Sequence, residues 1–250
     1  DYFHKNKETW PKGLDKEARE QLKKLEKLTG KRLGDARDPL LVSVRSGAAR
    51  SMPGMMETVL NLGLNDKSVE GIARATNNER FAYDSYRRFL QMYSTVVVGL
   101  SKDTLEHKLH QMKERLNVKN DVDVSADGWK QLCSDFKKFF KEQTGKDFPQ
   151  DPWDQLVGAI NAVFHSWNAE KAVTYRRVEK INNLKGTAVN ICQMVYGNMG
   201  DDCGTGVCFT RDPSTGQNEF YGDLLINAQG EDVVAGIRTP LHLSELRDKM

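Results

Sequence analysis

The chain has 250 residues, of which 38% are hydrophobic, too many for a chain that is disordered throughout. Its charged residues make up 29% of the total but nearly cancel, and a net charge of +2 excludes the strong basic field of a typical nucleic-acid-binding protein. Its longest apolar runs are far shorter than the roughly 20 residues of a membrane span, and it does not begin with the apolar segment of a signal peptide. We therefore predict a soluble cytoplasmic protein with neither nucleic acid nor a membrane as partner; a segment directing it to an organelle would lie outside these residues.

Neither the cysteines nor the histidines form a pattern typical of a metal site. The four cysteines lack paired CxxC spacing, so we expect reduced thiols. His107 and His110 lie three residues apart in a polar stretch, a spacing found more often on a wet helix surface than in a metal site. The residues themselves therefore predict no metal site in this chain.

Both ends of the sequence predict that it is part of a longer protein. It starts without methionine in a polar stretch, Asp1 to Thr9, and it stops inside a serine-capped helix start, Ser244 to Arg247. A serine cap opens a helix and does not close a domain.

The first predicted elements are a helix and a strand. Leucines recur at helical spacing among charged residues between Leu14 and Leu28, and Gly30 follows as a stop signal. The short β-branched run from Leu40 to Val44 is typical of a buried strand. We expect that strand to end at Arg45, where small residues begin.

The segment from Asp66 to Gln150 is predicted to be helical. Charged stretches with spaced aromatic residues run through it, for example from Arg80 to Phe89, and β-branched runs are few. The turn-forming segment from Gly145 to Pro152 marks its far boundary. We interpret it as a helical insert.

Two helices and three strands follow in the predicted order. The helices run from Gln155 to Trp167 and from Ala172 to Arg177. Strand-like runs separated by turn residues extend from Thr187 to Val195, from Gly206 to Thr210 and from Asp223 to Asn227. Their spacing predicts an antiparallel sheet, and the whole pattern predicts an α+β fold.

The segment from Val42 to Met56 has the composition of a phosphate-binding loop. A strand that runs into small residues leaves backbone N–H groups uncovered, and such groups can wrap a phosphate. Arg45 would add a cationic fork suited to a pair of phosphate oxygens. The alternative is a flexible surface turn, since neither a Walker A loop nor a G-x-G-x-x-G motif is present.

Two further segments have features suited to a nucleotide. Ile191 to Asn198 has the composition of a strand that presents an apolar surface before a turn, and an adenine ring needs such a surface. A plain sheet strand with a buried methionine fits the same residues. Gln229 to Asp232 sets adjacent acids beside a glycine, which could meet a ribose hydroxyl or a metal-bound water. Paired acids are also common in solvated turns.

The amino-acid sequence of these segments resembles that of the pyruvate, phosphate dikinase family almost residue by residue. The likeness is densest in Val42 to Asp66, VSVRSGAARSMPGMMETVLNLGLND, and extends over essentially the whole chain. The other segments that carry it are Phe81 to Phe89, Tyr175 to Arg177, Gly204 to Val207, Phe209 to Gly216 and Ile226 to Pro240.

The resemblance implies an ATP-grasp-like nucleotide-binding domain with a helical insert, incomplete at both ends. Residues 1–64 and 151–196 would form the first subdomain, residues 65–150 the insert, and residues 197–250 the start of a truncated second subdomain. The family interconverts ATP, phosphate and pyruvate with AMP, diphosphate and phosphoenolpyruvate through a phosphorylated histidine. The full-length protein would be a phosphotransferase and a homo-oligomer.

The resemblance also implies roles for individual residues. Arg45 would be the catalytic arginine that contacts the ATP phosphates. Glu231 would have a ribose or magnesium-shell role, and Arg238 a weaker one. Mg²⁺ would accompany ATP, with its protein ligands beyond Met250. The phosphate loop would comprise Ser46, Gly47, Ala48, Ser51, Met52, Pro53 and Gly54, and the adenine side Gln193, Met194 and Val195.

Other parts of the family's machinery would lie outside this chain. These are a phosphate-binding lysine upstream and, downstream, the histidine domain and the barrel that binds pyruvate. Because phosphoryl transfer depends on positioning and on neutralising cations, we expect weak ATP affinity and no turnover from this chain alone.

The sequence is also compatible with two alternative functions. A phosphoenolpyruvate synthase-type water dikinase shares the nucleotide-binding end, although the segment from Ser51 to Asp66 fits the phosphate-using branch better. A regulatory or scaffold module, in which the helical insert binds a partner and the loop is vestigial, belongs to another class.

Overall fold

The computed structural model describes residues 2–234, 236 and 239–246. The chain forms two compact units that divide between Met194 and Val195. Both contain helices and strands, which confirms the predicted α+β class. Among the described residues, no helix is both long enough and apolar enough to cross a membrane.

The first unit contains most of the regular structure. Its helices are α1 (Tyr2–Lys5), α2 (Leu14–Thr29), α3 (Ser68–Thr76), α4 (Glu79–Met92), α5 (Lys102–Leu116), α6 (Ala126–Thr144), α7 (Pro152–Ser166) and α8 (Glu170–Val178), with a π-helical turn at Tyr93–Val97 and a 3-10 turn at Asp121–Asp123. Its strands are β1 (Arg32–Leu33), β2 (Pro39–Leu40), β3 (Val42–Gly47), β4 (Thr58–Leu62) and β5 (Ala188–Gln193). The predicted helices at Leu14, Gln155 and Ala172 are confirmed within a few residues at each end.

A three-stranded antiparallel sheet in the order β4-β3-β5 forms the centre of the first unit. Val44 lies opposite Val59 on one side and Ile191 on the other. Val44 and Val59 are fully buried, and α7 packs on the sheet with its buried Ala159 and Val163. Side chains alternate between the two faces of a strand, so Ser43 and Arg45 lie on the face opposite Val44, where Ser43 is buried and Arg45 is exposed.

The segment predicted to be helical is confirmed as α3 to α6. Helices α4 and α6 pack closely through buried aromatic residues, among them Phe81, Phe89 and Phe136. Helix α4 also packs directly on β4, so the helices share one compact unit with the sheet. Their assignment to a separate insert stays a prediction.

A buried network of charges joins the helices of this layer. Arg87 pairs with Asp84 and, at 2.8 Å, with Asp121, while Arg88 lies 3.3 Å from Asp84. Lys113 from α5 also contacts Asp121. Because Asp84, Arg87 and Arg88 are all less than 10% exposed, each charge depends on its partners for stabilisation.

The second unit is built on another small antiparallel sheet. Its elements are β6 (Gly204–Phe209), β7 (Tyr221–Ile226), α9 (Gly230–Val234), β8 (Leu241–His242) and α10 (Leu243–Leu246), and its strand order is β6-β7-β8. Thr205 donates its hydroxyl to the carbonyl of Ala228 at 2.7 Å, which ties the segment before α9 to β6.

The prediction of a single sheet from the last three strand runs was wrong. The first of these runs, β5, pairs with β3, and only β6 and β7 pair with each other. The physical reason is that a strand's sequence favours extended backbone but does not choose a partner. Here Cys192 lies opposite Ser43, 149 residues away.

Candidate functional site

Arg45 lies within β3 and not at its end. The predicted end of the strand at Arg45 was wrong, because β3 continues to Gly47. Arg45 is held in the ladder by Thr58 on one side and by Asn190 on the other. Hydrogen bonds from the flanking strand β5 extend β3 into the small residues after Arg45, and the local sequence does not reveal this pairing.

The side chain of Arg45 is exposed and held by one neutral contact. Its Nε donates to the hydroxyl of Ser43 at 3.1 Å. Within the part of the chain that the structure describes, Arg45 has no carboxylate within ion-pair distance. Its guanidinium is therefore available to an anion.

The residues beside Arg45 form a polar face of the sheet. Cross-strand neighbours lie on the same face, so Asn190 accompanies Arg45 and Cys192 accompanies Ser43. Asn190 and Cys192 are exposed. Ser43 is only 1% exposed, and its hydroxyl contacts the carbonyl of Cys192 at 3.5 Å. Sequence reasoning missed Asn190 because no local signal marks a pairing across 145 residues of chain.

Ser46 and Gly47 belong to the strand, which corrects their assignment to a loop of bare amides. Gly47 donates its N–H to the hydroxyl of Thr187 at 3.1 Å. A Cβ at Gly47 would lie 2.8 Å from the side-chain nitrogen of Asn190, so a larger residue here would require this exposed side chain to move. The loop proper begins at Ala48.

An apolar anchor ties the middle of the loop to the first unit. Met52 is 5% exposed and packs with Trp167 and Ile181. Ala48 and Met55, partly buried, pack against the same cluster. The sequence placed Met52 among the phosphate-loop residues but carried no sign of this contact, which joins segments more than 100 residues apart.

The tip of the loop is a tight turn exposed to solvent. Gly54 has φ +70°, and Met55 donates its N–H to the carbonyl of Met52 at 3.2 Å. Proline followed by glycine at positive φ is the pattern of a type II turn. Ser51, Pro53 and Gly54 are exposed, so their backbone groups face solvent beside the anchored Met52.

The end of β5 carries the residues predicted to face adenine. Gln193 is exposed and lies opposite Val42. Met194 is half-buried, and its N–H bonds to the carbonyl of Leu41 at 3.0 Å. Val195 is 89% exposed and is the first residue of the second unit.

Glu231 belongs to the second unit, in the first turn of α9. It is half-buried. Its neighbour Asp232 accepts the N–H of Gln229 at 2.9 Å, which shapes the start of this short helix. The structure thus places Arg45, the loop, Gln193 and Met194 in one unit, and Val195 and Glu231 in the other. Arg238 lies outside the described residues.

No cluster of metal ligands accompanies these residues in the part of the chain that the structure describes. Across the described ranges, no group of three or more histidine, cysteine, aspartate or glutamate side chains could hold a metal ion. The residues present therefore do not fit a complete magnesium site. The placement of such ligands beyond Met250 stays a prediction.

A cleft of about 280 Å³ lies in the helical layer and not at Arg45. Its lysines are already paired, Lys137 with Asp66 at 2.6 Å and Lys130 with Glu79 at 3.0 Å. Burial, and then the charge of Asp66, raise the pKa of Tyr86 far above its usual range, so this side chain stays neutral. With its charges paired internally, the cleft is a weaker candidate for an anion than the face at Arg45.

Comparison with known proteins places this chain in a family. Residues 6–247 match the family described as pyruvate phosphate dikinase, AMP/ATP-binding domain. The chain is similar to pyruvate, phosphate dikinase from Clostridium symbiosum, with 57% identity over 227 residues that cover 90% of this chain and 26% of that protein. The corresponding values are 55% over 240 residues for the Giardia intestinalis protein, covering 95% and 27%, and 56% over 237 residues for chloroplastic pyruvate, phosphate dikinase 1 of Arabidopsis thaliana, covering 95% and 24%.

The chain spans about a quarter of the length of these curated relatives. The family match, by contrast, covers nearly all of its residues. The resemblance noted in the segment from Val42 to Asp66 is thus confirmed over nearly the whole chain. The chain belongs to the pyruvate phosphate dikinase AMP/ATP-binding domain family.

Proposed function

We propose that this chain binds ATP by its phosphates, on the polar face of the first sheet. The observation that carries the proposal is the exposed guanidinium of Arg45, whose Nε is held by Ser43 and which has no carboxylate partner among the residues that the structure describes. Beside it begins a loop whose tip is exposed and whose centre is fixed by Met52.

The arrangement suits a polyphosphate for electrostatic reasons. With Nε directed to the hydroxyl of Ser43, the two terminal nitrogens of Arg45 are left to form a bidentate contact with phosphate oxygens. The backbone N–H groups of the loop from Ala48 to Gly54 add neutral donors. Arg45 would stabilise the charge that moves during phosphoryl transfer, which is a catalytic role.

In this proposal the remaining site residues contact the other parts of the nucleotide. Gln193, Met194 and Val195 face the adenine, and Glu231 meets the ribose or the magnesium shell. The two units are the two subdomains of an ATP-grasp fold, with the helices of residues 65–150 as an insert. Mg²⁺ enters with ATP as the counter-ion of its phosphates, and we assign its protein ligands to residues beyond Met250.

The names of its relatives support a proposal for the activity of the whole protein. We propose that the full-length protein is a cytoplasmic, homo-oligomeric pyruvate, phosphate dikinase. It would interconvert ATP, phosphate and pyruvate with AMP, diphosphate and phosphoenolpyruvate. The phosphohistidine and the sites for pyruvate would be supplied by other parts of that protein, so this chain alone would bind ATP weakly without turnover.

Substitution of Arg45 tests the phosphate contact. Arg45→Ala removes a charge-assisted contact of about 1.5–3 kcal/mol, so the Kd for Mg-ATP should rise roughly 10- to 150-fold in isothermal titration calorimetry. Arg50→Ala is the matched control, because Arg50 is an exposed arginine five residues further along. It should leave affinity within about twofold.

Stability measurements separate binding from folding. Because Arg45 is exposed and has no ion pair among the described residues, Arg45→Ala should change the free energy of unfolding by less than about 0.5 kcal/mol. Equal affinities for the Arg45→Ala and Arg50→Ala chains would contradict the proposed role.

A further inference from the structure

A β-bulge in β4 lies across β3 from the end of β5. The register passes from Val44 opposite Val59 to Val42 opposite Leu62, so two residues of β4 face the single Ser43 of β3. We call these two residues, Leu60 and Asn61, the β4 bulge. Residues of a bulge drop out of the normal ladder, and their N–H groups need other acceptors.

Both N–H groups of the β4 bulge donate to methionine sulfurs. Leu60 donates to the Sδ of Met92 in α4 at 3.1 Å, and Asn61 donates to the Sδ of Met194 at 3.0 Å. A thioether is a weak acceptor, but here it compensates a backbone group that has left the ladder. Met194 therefore contributes more than apolar surface.

Asn61 is fixed by its backbone conformation. It has φ +57°, in the left-handed region that glycine and asparagine tolerate best. The residue is 1% exposed, and its carboxamide has no hydrogen-bond partner among the described residues. The backbone of β4 thus fixes the position of the Asn61 N–H, and this N–H in turn fixes the position of the Met194 sulfur.

Met194 is consequently anchored twice within the first unit. Its own N–H bonds to the carbonyl of Leu41 at 3.0 Å, and its sulfur accepts from Asn61. Met194 is also the last residue of that unit. Backbone groups at this point are therefore held at a fixed position relative to β3, which carries Arg45.

We propose that Met194, held by the N–H of Asn61 in the β4 bulge, positions the nucleobase. The two anchors hold the end of β5, so the backbone that meets the adenine edge is preorganised relative to the phosphate contact at Arg45. This inference rests on the proposed function. Met194 and Asn61 are positioning residues, and the bond between them affects base binding and not phosphate binding.

The test compares two ligands on matched variants. Met194→Leu removes the sulfur acceptor and keeps a similar volume, and Met92→Leu does the same at the other amide of the bulge. Binding of Mg-ATP and of magnesium tripolyphosphate, which lacks the base, is measured by titration calorimetry. Amide hydrogen exchange of Leu60 and Asn61 is followed by NMR.

Met194→Leu should raise the Kd for ATP about tenfold, leave the Kd for tripolyphosphate unchanged and speed exchange at Asn61. Met92→Leu should speed exchange at Leu60 alone and leave both affinities unchanged. Met194→Gln, whose side-chain carbonyl can accept the N–H of Asn61, should restore slow exchange and most of the ATP affinity. Retained tripolyphosphate binding shows that each variant is folded.

Several results would overturn the inference. If Met194→Leu lowers the affinities for ATP and tripolyphosphate equally, the substitution has a general effect on the site. If it leaves the ATP affinity unchanged, Met194 does not position the base. If the unaltered chain binds tripolyphosphate but binds ATP no more tightly, the phosphate contact stands and base positioning fails. If it binds neither ligand, the proposed function fails together with this inference.

Discussion

The apolar anchor of the loop offers a sharp test of how the loop is held. Truncation of a buried methionine to alanine costs about 2–5 kcal/mol. Met52 is 5% exposed, but several of its neighbours are only partly buried and can relax, which favours the lower end of that range. We therefore expect Met52→Ala to destabilise the closed loop by about 2 kcal/mol, which raises the open population roughly thirtyfold.

Limited trypsin digestion measures that open population. Arg50 is exposed within the loop, and cleavage after it requires local opening. In Met52→Ala this cleavage should be roughly thirtyfold faster, while cleavage after Arg45, inside β3, stays slow. Met55→Ala is the control, because Met55 is only partly buried and should give a smaller effect. Equal cleavage rates after Arg50 in the unaltered and Met52→Ala chains would refute the anchoring argument.

Two further predictions concern the stability of the helical layer. Gly71→Ala in α3 should lower the free energy of unfolding by about 1–3 kcal/mol in urea denaturation, because the added Cβ would lie 2.6 Å from a backbone carbonyl oxygen; an unchanged free energy of unfolding would contradict this. Burial alone would raise the pKa of Asp121, but the charge of Arg87 and the hydrogen bond from Lys113 lower it below its usual 3.8. The stability that this network contributes should be present above about pH 5 and lost as the pH falls through the lowered pKa of Asp121. Acid should therefore destabilise the unaltered chain more than the Asp121→Asn chain. If the free energy of unfolding falls equally with pH in both chains, the network does not contribute as described.

The local elements could be read from the sequence because their signals are local. Helix α2 follows from leucines at helical spacing and ends with Gly30 in the left-handed conformation, at φ +70°. The β-branched residues around Val44 indicated a buried strand, and Val44 is fully buried. The sequence placed Arg45 at the end of this strand, whereas the structure places it inside β3.

The length and partners of that strand could not be predicted. Ser46 and Gly47 have little intrinsic preference for extended backbone, and they belong to β3 because Val189 and Ala188 pair with them. Such pairing depends on closing a loop of about 140 residues. The residues next to Ser46 and Gly47 in the sequence therefore do not predict it.

The sequence by itself determined the α+β class, most helices, the family and the candidate residues around Arg45. Only the tertiary structure decided that Met52 is an anchor, that Gly47 is a strand residue bonded to Thr187, and that Met194 accepts an N–H group from a bulge. The physical reason is that periodicity and turn chemistry act between near neighbours. Packing partners and hydrogen-bond acceptors are instead chosen when distant segments meet in the folded chain.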